Sequence, residues 1–197
     1  GITNVTDALL AVSYGADALG FIFYRKSPRF IAVKEAREII SELPPCVKTV
    51  GVFVNETADK VNRIADMCKL DIVQLHGDES AAFCKKMKRR VIKAFRIKDA
   101  KCLLPMADYK VSGFLLDAFV EDLHGGSGET CDWNLVRRAE EYGPIILAGG
   151  LTPGNVVEAI RQAEPYGVDV CSGVEESKGK KDPEKLRAFI QAVKENR

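Results

Sequence analysis

Histidine, paired cysteine and long apolar runs are what this chain has least of. Only two histidines, His76 and His124, stand among 197 residues. Neither joins cysteine or carboxylate at metal-ligand spacing, so no metal centre is expected. The six cysteines are Cys46, Cys68, Cys84, Cys102, Cys131 and Cys171, and no two form a C-x-x-C pair. They scatter through expected helices, a loop and a strand end, which argues against a disulfide framework and for reduced thiols in a cytoplasmic protein. No apolar run approaches the ~18 residues that a membrane span needs. The opening Gly1-Ile2-Thr3-Asn4 has neither the basic nor the apolar character of a signal peptide. The net charge of +1 sets up no field that would recruit nucleic acid or an acidic membrane. The basic run Lys85-Lys86-Met87-Lys88-Arg89-Arg90 falls at a helix end before a strand, where cations complement the helix dipole and face solvent.

What is present is an alternation that runs from end to end. Apolar strands are expected at Ala18–Phe23, Thr49–Val54, Ile72–His76, Val91–Phe95, Gly113–Asp117, Ile145–Ala148 and Val168–Cys171. Amphipathic helical stripes separate them, such as Val33, Ala36, Ile39, Ile40 and Leu43, or Leu186, Phe189, Ile190 and Val193. Ser80 is placed to cap a helix reaching about Lys88, Thr152-Pro153 to open another, and Asp182-Pro183 to open the last. Pro105 disturbs a weaker helix around Ala100 to Met106. Seven buried strands between eight helices mean a parallel sheet covered by helices, in one domain over residues 1–197. No Gly-x-Gly-x-x-Gly follows the first strand, which argues against a doubly wound dinucleotide fold. The alternative is a (β/α) barrel, which needs eight strands. The chain begins with a helix, so the first strand is expected ahead of Gly1.

In such a barrel, chemistry collects where strands end. Two strand ends finish in small residues: Leu147-Ala148-Gly149-Gly150 and Val170-Cys171-Ser172-Gly173. Glycines there let backbone N–H groups come close to a phosphate. Asp117 closes a buried run, where partial desolvation favours its neutral form and suits it to give a proton; a capping aspartate is the alternative reading. His124-Gly125-Gly126-Ser127-Gly128 can close over a ligand through Gly126, or be a plain turn. Arg29, in a basic loop, can take a carboxylate in two-pronged fashion. His76 ends a strand, and Asp169 lies within the last one.

The ordered set Gly20-Phe21-Ile22-Phe23-Tyr24, Ser27-Pro28-Arg29, Gly51-Val52-Phe53-Val54-Asn55, Gln74-Leu75-His76-Gly77, Leu115-Leu116-Asp117, Gly125-Gly126-Ser127-Gly128 with Asp132-Trp133, Leu147-Ala148-Gly149-Gly150-Leu151 and Ser172-Gly173-Val174-Glu175 resembles the phosphoribosylanthranilate isomerases of tryptophan biosynthesis over the whole chain. The resemblance implies a TIM (β/α)8 barrel that performs an Amadori rearrangement without a cofactor, on a small phosphorylated substrate, as a monomer or homodimer. It implies Asp117 as general acid, protonating the ring oxygen so that the sugar opens to a Schiff base. It implies that Arg29 holds the anthranilate carboxylate and that Gly149, Gly150, Ser172 and Gly173 hold the phosphate, with Gly126, His76 and Asp169 close to the substrate. The family's base is a cysteine ending the first strand, in a Lys-Ile-Cys-Gly run whose glycine matches Gly1. A chain without that cysteine reads alternatively as a phosphate-ligand-binding module or inactive fragment. An epimerase or aldolase on a sugar phosphate is a further alternative, with Lys93 as the amine.

Overall fold

The structure is a computed structural model that describes residues 1–117 and 133–196. Seven strands lie side by side in chain order: β1 (Ala18–Ile22), β2 (Lys48–Phe53), β3 (Ile72–Leu75), β4 (Arg90–Arg96), β5 (Gly113–Asp117), β6 (Ile145–Ala148) and β7 (Gly167–Val168). All six pairings are parallel. Parallel neighbours require a crossover, and the helices supply it. They are α1 (Val5–Tyr14), α2 (Val33–Ser41), α3 (Ala58–Met67), α4 (Ala81–Cys84), α5 (Trp133–Arg138), α6 (Val156–Ala163) and α7 (Pro183–Glu195). A short antiparallel pair, β8 (Glu175–Ser177) with β9 (Lys180–Lys181), precedes α7.

Period-two alternation divides each strand between two surfaces. Leu19, Phe21, Phe53, Val73, Leu75, Phe114, Leu116, Ile145 and Leu147 are buried in the main core beneath the helices. Ile92, Ala94, Leu115 and Ala148 form a separate small cluster on the other face. That inner face lines one central cavity of about 1140 Å³, reached by side chains from all seven strands. A sheet whose strands all face one hollow is curled. β1 and β7 are its two edges, and the cavity continues between them onto Ala11 of α1 and Leu186, Phe189 and Ile190 of α7.

Several elements differ from the sequence expectation. The helix after Ser80 is α-helical only to Cys84, though Ser80 caps it through Phe83 N–H. The segment Ala100–Asp108 is a 3₁₀ helix with Pro105 inside, as suits a residue with no N–H to give an α-helical ladder. Helix α6 starts at Val156, not at Thr152-Pro153. Asn155 causes the delay: its side chain accepts from Thr152 N–H at 2.8 Å and donates to Gly150 O at 3.0 Å, making a turn first. Asp182 caps α7 as expected, accepting from Glu184 and Lys185 N–H.

Candidate active site

Because all the strands run the same way, the residues singled out above that fall among the described ones gather at one rim. Arg29 follows β1, His76 follows β3, Asp117 ends β5, Gly149 and Gly150 follow β6, and Asp169 through Gly173 follow β7. Arg29, His76, Asp117, Gly149, Gly150, Asp169, Cys171 and Ser172 all line the cavity mouth. Gly126 lies outside the described residues.

Asp117 shares strand parity with Leu115, so its carboxyl turns inward. His76 shares parity with Gln74 and so also turns inward, where its Nε2 lies 3.9 Å from Asp117 Oδ2. Both side chains are about one quarter exposed, so they meet solvent only at the opening. Below them the buried Gln74 places its amide Nε2 3.0 Å from His76 Nδ1. With the amide nitrogen on this side, Nδ1 is the accepting ring nitrogen and Nε2 the one that faces Asp117.

The glycine loops answer to backbone geometry. Gly149 and Gly150 have φ of 92° and 65°, the left-handed region where a Cβ is strained. A Cβ on Gly173 would come within 1.8 Å of Leu151 O, so the loop after β7 lies against the loop after β6. The two loops thus form one continuous small-residue surface. Strand β7 is only two residues long, and Asp169 lies past its end, exposed, with its N–H donating to Leu147 O at 2.8 Å. The expectation that Asp169 sits inside the last strand is therefore corrected: β7 stops pairing once the chain bends toward Ser172.

Arg29 does not offer its whole fork to the mouth. Its Nε donates to Glu175 Oε1 at 2.7 Å and its Nη2 to Glu175 Oε2 at 2.6 Å. Lys181 Nζ lies 3.1 Å from Glu175 Oε1 and donates to Cys171 O at 3.0 Å. Burial alone would raise the Glu175 carboxyl, but hydrogen bonds and charge from Arg29 and Lys181 outweigh it and hold it at about 2. The same bonds push the Arg29 guanidinium above its usual range. Glu175 and Lys181 had no functional reading in the sequence. Lys181 belongs to the run Lys178-Gly179-Lys180-Lys181, which looks like a solvated turn, and Arg29 and Glu175 are 146 positions apart.

Gly1 sits where this group meets the gap between the sheet edges. A Cβ placed on it would lie 2.8 Å from Cys171 Sγ and 3.4 Å from Ile22 Cδ1. Ile2 N–H donates to Gly20 O of β1. Lys93 presents no amine to the mouth. It is on the helix-facing side, 2% exposed, donating to the carbonyls of Leu75, Gly77 and Ala94, with Glu79 at 3.3 Å. Glu79 in turn accepts from Asn55 and Gly77 N–H, so the pair shapes the loop that carries His76. Among the described residues no group of His, Cys, Asp and Glu could hold a metal ion, and no helix is long and apolar enough to cross a membrane.

The family model described as N-(5'phosphoribosyl)anthranilate (PRA) isomerase matches residues 1–192. An N-(5'-phosphoribosyl)anthranilate isomerase of Geotalea uraniireducens is 58% identical over 194 residues, 98% of this chain and 96% of its own length. One from Citrifermentans bemidjiense is 56% identical, covering 98% and 94%. The crystal structure of phosphoribosyl anthranilate isomerase from Thermotoga maritima superposes with a TM-score of 0.90 at 42% identity, covering 98% of this chain and 96% of that one. A further isomerase structure, in complex with reduced 1-(o-carboxyphenylamino)-1-deoxyribulose 5-phosphate, gives 0.88 at 40% identity, covering 98% and 95%.

Proposed function

The chain belongs to the N-(5'-phosphoribosyl)anthranilate isomerase family, and from that premise we propose how its mouth converts N-(5'-phosphoribosyl)anthranilate to 1-(2-carboxyphenylamino)-1-deoxyribulose 5-phosphate. Asp117 gives a proton to the ring oxygen. The bond from that oxygen to C1 breaks as the nitrogen lone pair forms the Schiff base. A base takes the C2 proton to give an enolamine, which relaxes to the ketone as C1 gains a proton and the C2 hydroxyl loses one. His76, with its Nε2 proton toward Asp117, steadies the carboxylate left after the first transfer. The backbone around Gly149-Gly150 and Ser172-Gly173 holds the phosphate, and Arg29 holds the anthranilate carboxylate. Asp169, exposed beside Ser172, is suited to bond a sugar hydroxyl.

The observation that carries this reading is the placement of Asp117 and His76 3.9 Å apart at the mouth they share with the abutting glycine loops. A phosphate at the loops holds one end of the substrate while the acid meets the ring.

The barrel itself extends the proposal. A strand laid between β1 and β7 would close the sheet as its eighth member and cover the apolar faces of α1 and α7. Gly1 itself lines the cavity close to Cys171 and Arg29, and the family pattern puts its cysteine base beside the glycine that Gly1 matches. Residues 1–197 on this view make one barrel domain.

The test is Asp117→Asn. It removes the proton donor and keeps the shape, so turnover should fall by about 10²–10⁴. Affinity for the reduced product analogue should change only a few-fold. Turnover within threefold of the unsubstituted protein would assign the proton to another group.

A further inference from the structure

The buried carboxylate of Glu175 is not accounted for by any step of the reaction. Its side chain is 5% exposed, and it stands behind Arg29 and Lys181, which line the cavity. It receives the Nε and Nη2 protons of Arg29, the ammonium of Lys181 and, at 3.3 Å, the N–H of Gly179. The thiol of Cys171 lies 3.9 Å away. Lys181 is itself pinned, its N–H donating to Asp7 Oδ2 of α1 at 2.7 Å and its Nζ to Cys171 O. The acceptor is thus fixed from several sides before Arg29 reaches it.

A guanidinium carries five N–H groups on three nitrogens. Glu175 uses the Nε edge. Three hydrogens remain, two on Nη1 and one on Nη2; one from each nitrogen makes a parallel pair on the far end, which suits a second carboxylate. A flexible arginine alone would sample many rotamers. Tied at one edge, it presents the other in a single direction.

We infer that Glu175 is a positioning residue, which orients Arg29 so that its free-ended fork faces the cavity and thereby sets how tightly the site holds a ligand carboxylate. The inference rests on the reading of Arg29 as the receiver of the anthranilate carboxylate. It differs from that reading by assigning the selectivity to a residue that does not touch the ligand.

Calorimetric titration with two ligands tests it. The reduced product analogue carries both carboxylate and phosphate; ribose 5-phosphate carries the phosphate alone. Glu175→Gln should weaken the analogue about tenfold, the scale of a lost charged hydrogen bond, and leave ribose 5-phosphate within about twofold. Arg29→Ala should show the same selectivity, and the double variant should lose no more than Arg29→Ala alone. Should Glu175→Gln prove unable to fold, Glu175→Asp keeps the charge beside Lys181 but is one methylene too short to span the fork, and the same selective loss is expected. Unchanged analogue affinity in the Glu175 variants, with Arg29→Ala still weakened, overturns the inference and spares the role of Arg29. Unchanged affinity in Arg29→Ala removes the role of Arg29 itself. Equal weakening of both ligands by Glu175→Gln marks a merely structural carboxylate and overturns the inference.

Discussion

Gly173 and Glu175, two residues apart, do opposite work at the mouth. Gly173 is there for what it lacks: a Cβ would press to 1.8 Å from Leu151 O, which is backbone and cannot step aside. Gly173→Ala should therefore lower the melting temperature and abolish measurable ribose 5-phosphate binding. Gly154→Ala, whose Cβ would find its nearest neighbour at 3.7 Å, should stay within about 0.5 kcal/mol of the parent. Glu175 is there for its charge. Its carboxyl titrates at about 2 in the folded protein against an ordinary 4.5. A depressed folded value means stability that is fully present above about pH 4.5 and drains away as pH falls toward 2, on the order of 3 kcal/mol. Melting temperature against pH should drop steeply through that window, and Glu175→Gln should flatten the drop. The shared rim position of Asp117, His76 and the glycine loops was legible in the sequence because each ends an apolar run, and parallel strands end on one rim. The Arg29–Glu175–Lys181 cluster was not. Nothing local marks a partner that lies across the rim and at the other end of the chain.

At the scale of elements, the strands declared themselves through uninterrupted apolar runs, and six of the seven extend over four residues or more. Helix ends were less legible where a side chain competed with the backbone. Asn155 bonds back to Thr152 and Gly150 and so delays α6, which no periodicity reveals. Lys93 lies within β4 rather than at its end. The structure turns it to the helix side, where it joins Glu79 beneath the loop after β3. Both side chains are 2% exposed. Removing one partner strands the other, at a cost of about 3–5 kcal/mol. Lys93→Met should lower the urea midpoint accordingly. Because Glu79 also holds Asn55 and Gly77 N–H, the same variant should shift the NMR resonances of the His76 ring. An unchanged His76 signal would show that this pair supports the sheet without setting the loop.

For the molecule as a whole, one curled sheet gathers its polar strand ends around a single hollow of about 1140 Å³. That shape brings Asp117 on β5, His76 after β3 and the glycine loops after β6 and β7 to one mouth, as the proposed reaction requires. Between its two ends the hollow is apolar, lined by Val50, Ile92, Leu115 and Ile146, while Lys48 and Arg90 line the end opposite the mouth. Ligand binding should then couple to global stability by mass action. The reduced product analogue at 100 times its dissociation constant should add about 2.7 kcal/mol, readable as a rise in melting temperature. The most direct measurement is a crystal structure of the protein with that analogue. The account expects its phosphate on the backbone N–H groups around Gly150 and Gly173 and its sugar oxygens within hydrogen-bond reach of Asp117. A phosphate bound elsewhere, or an Asp117 carboxyl turned out of contact with the sugar, would contradict it.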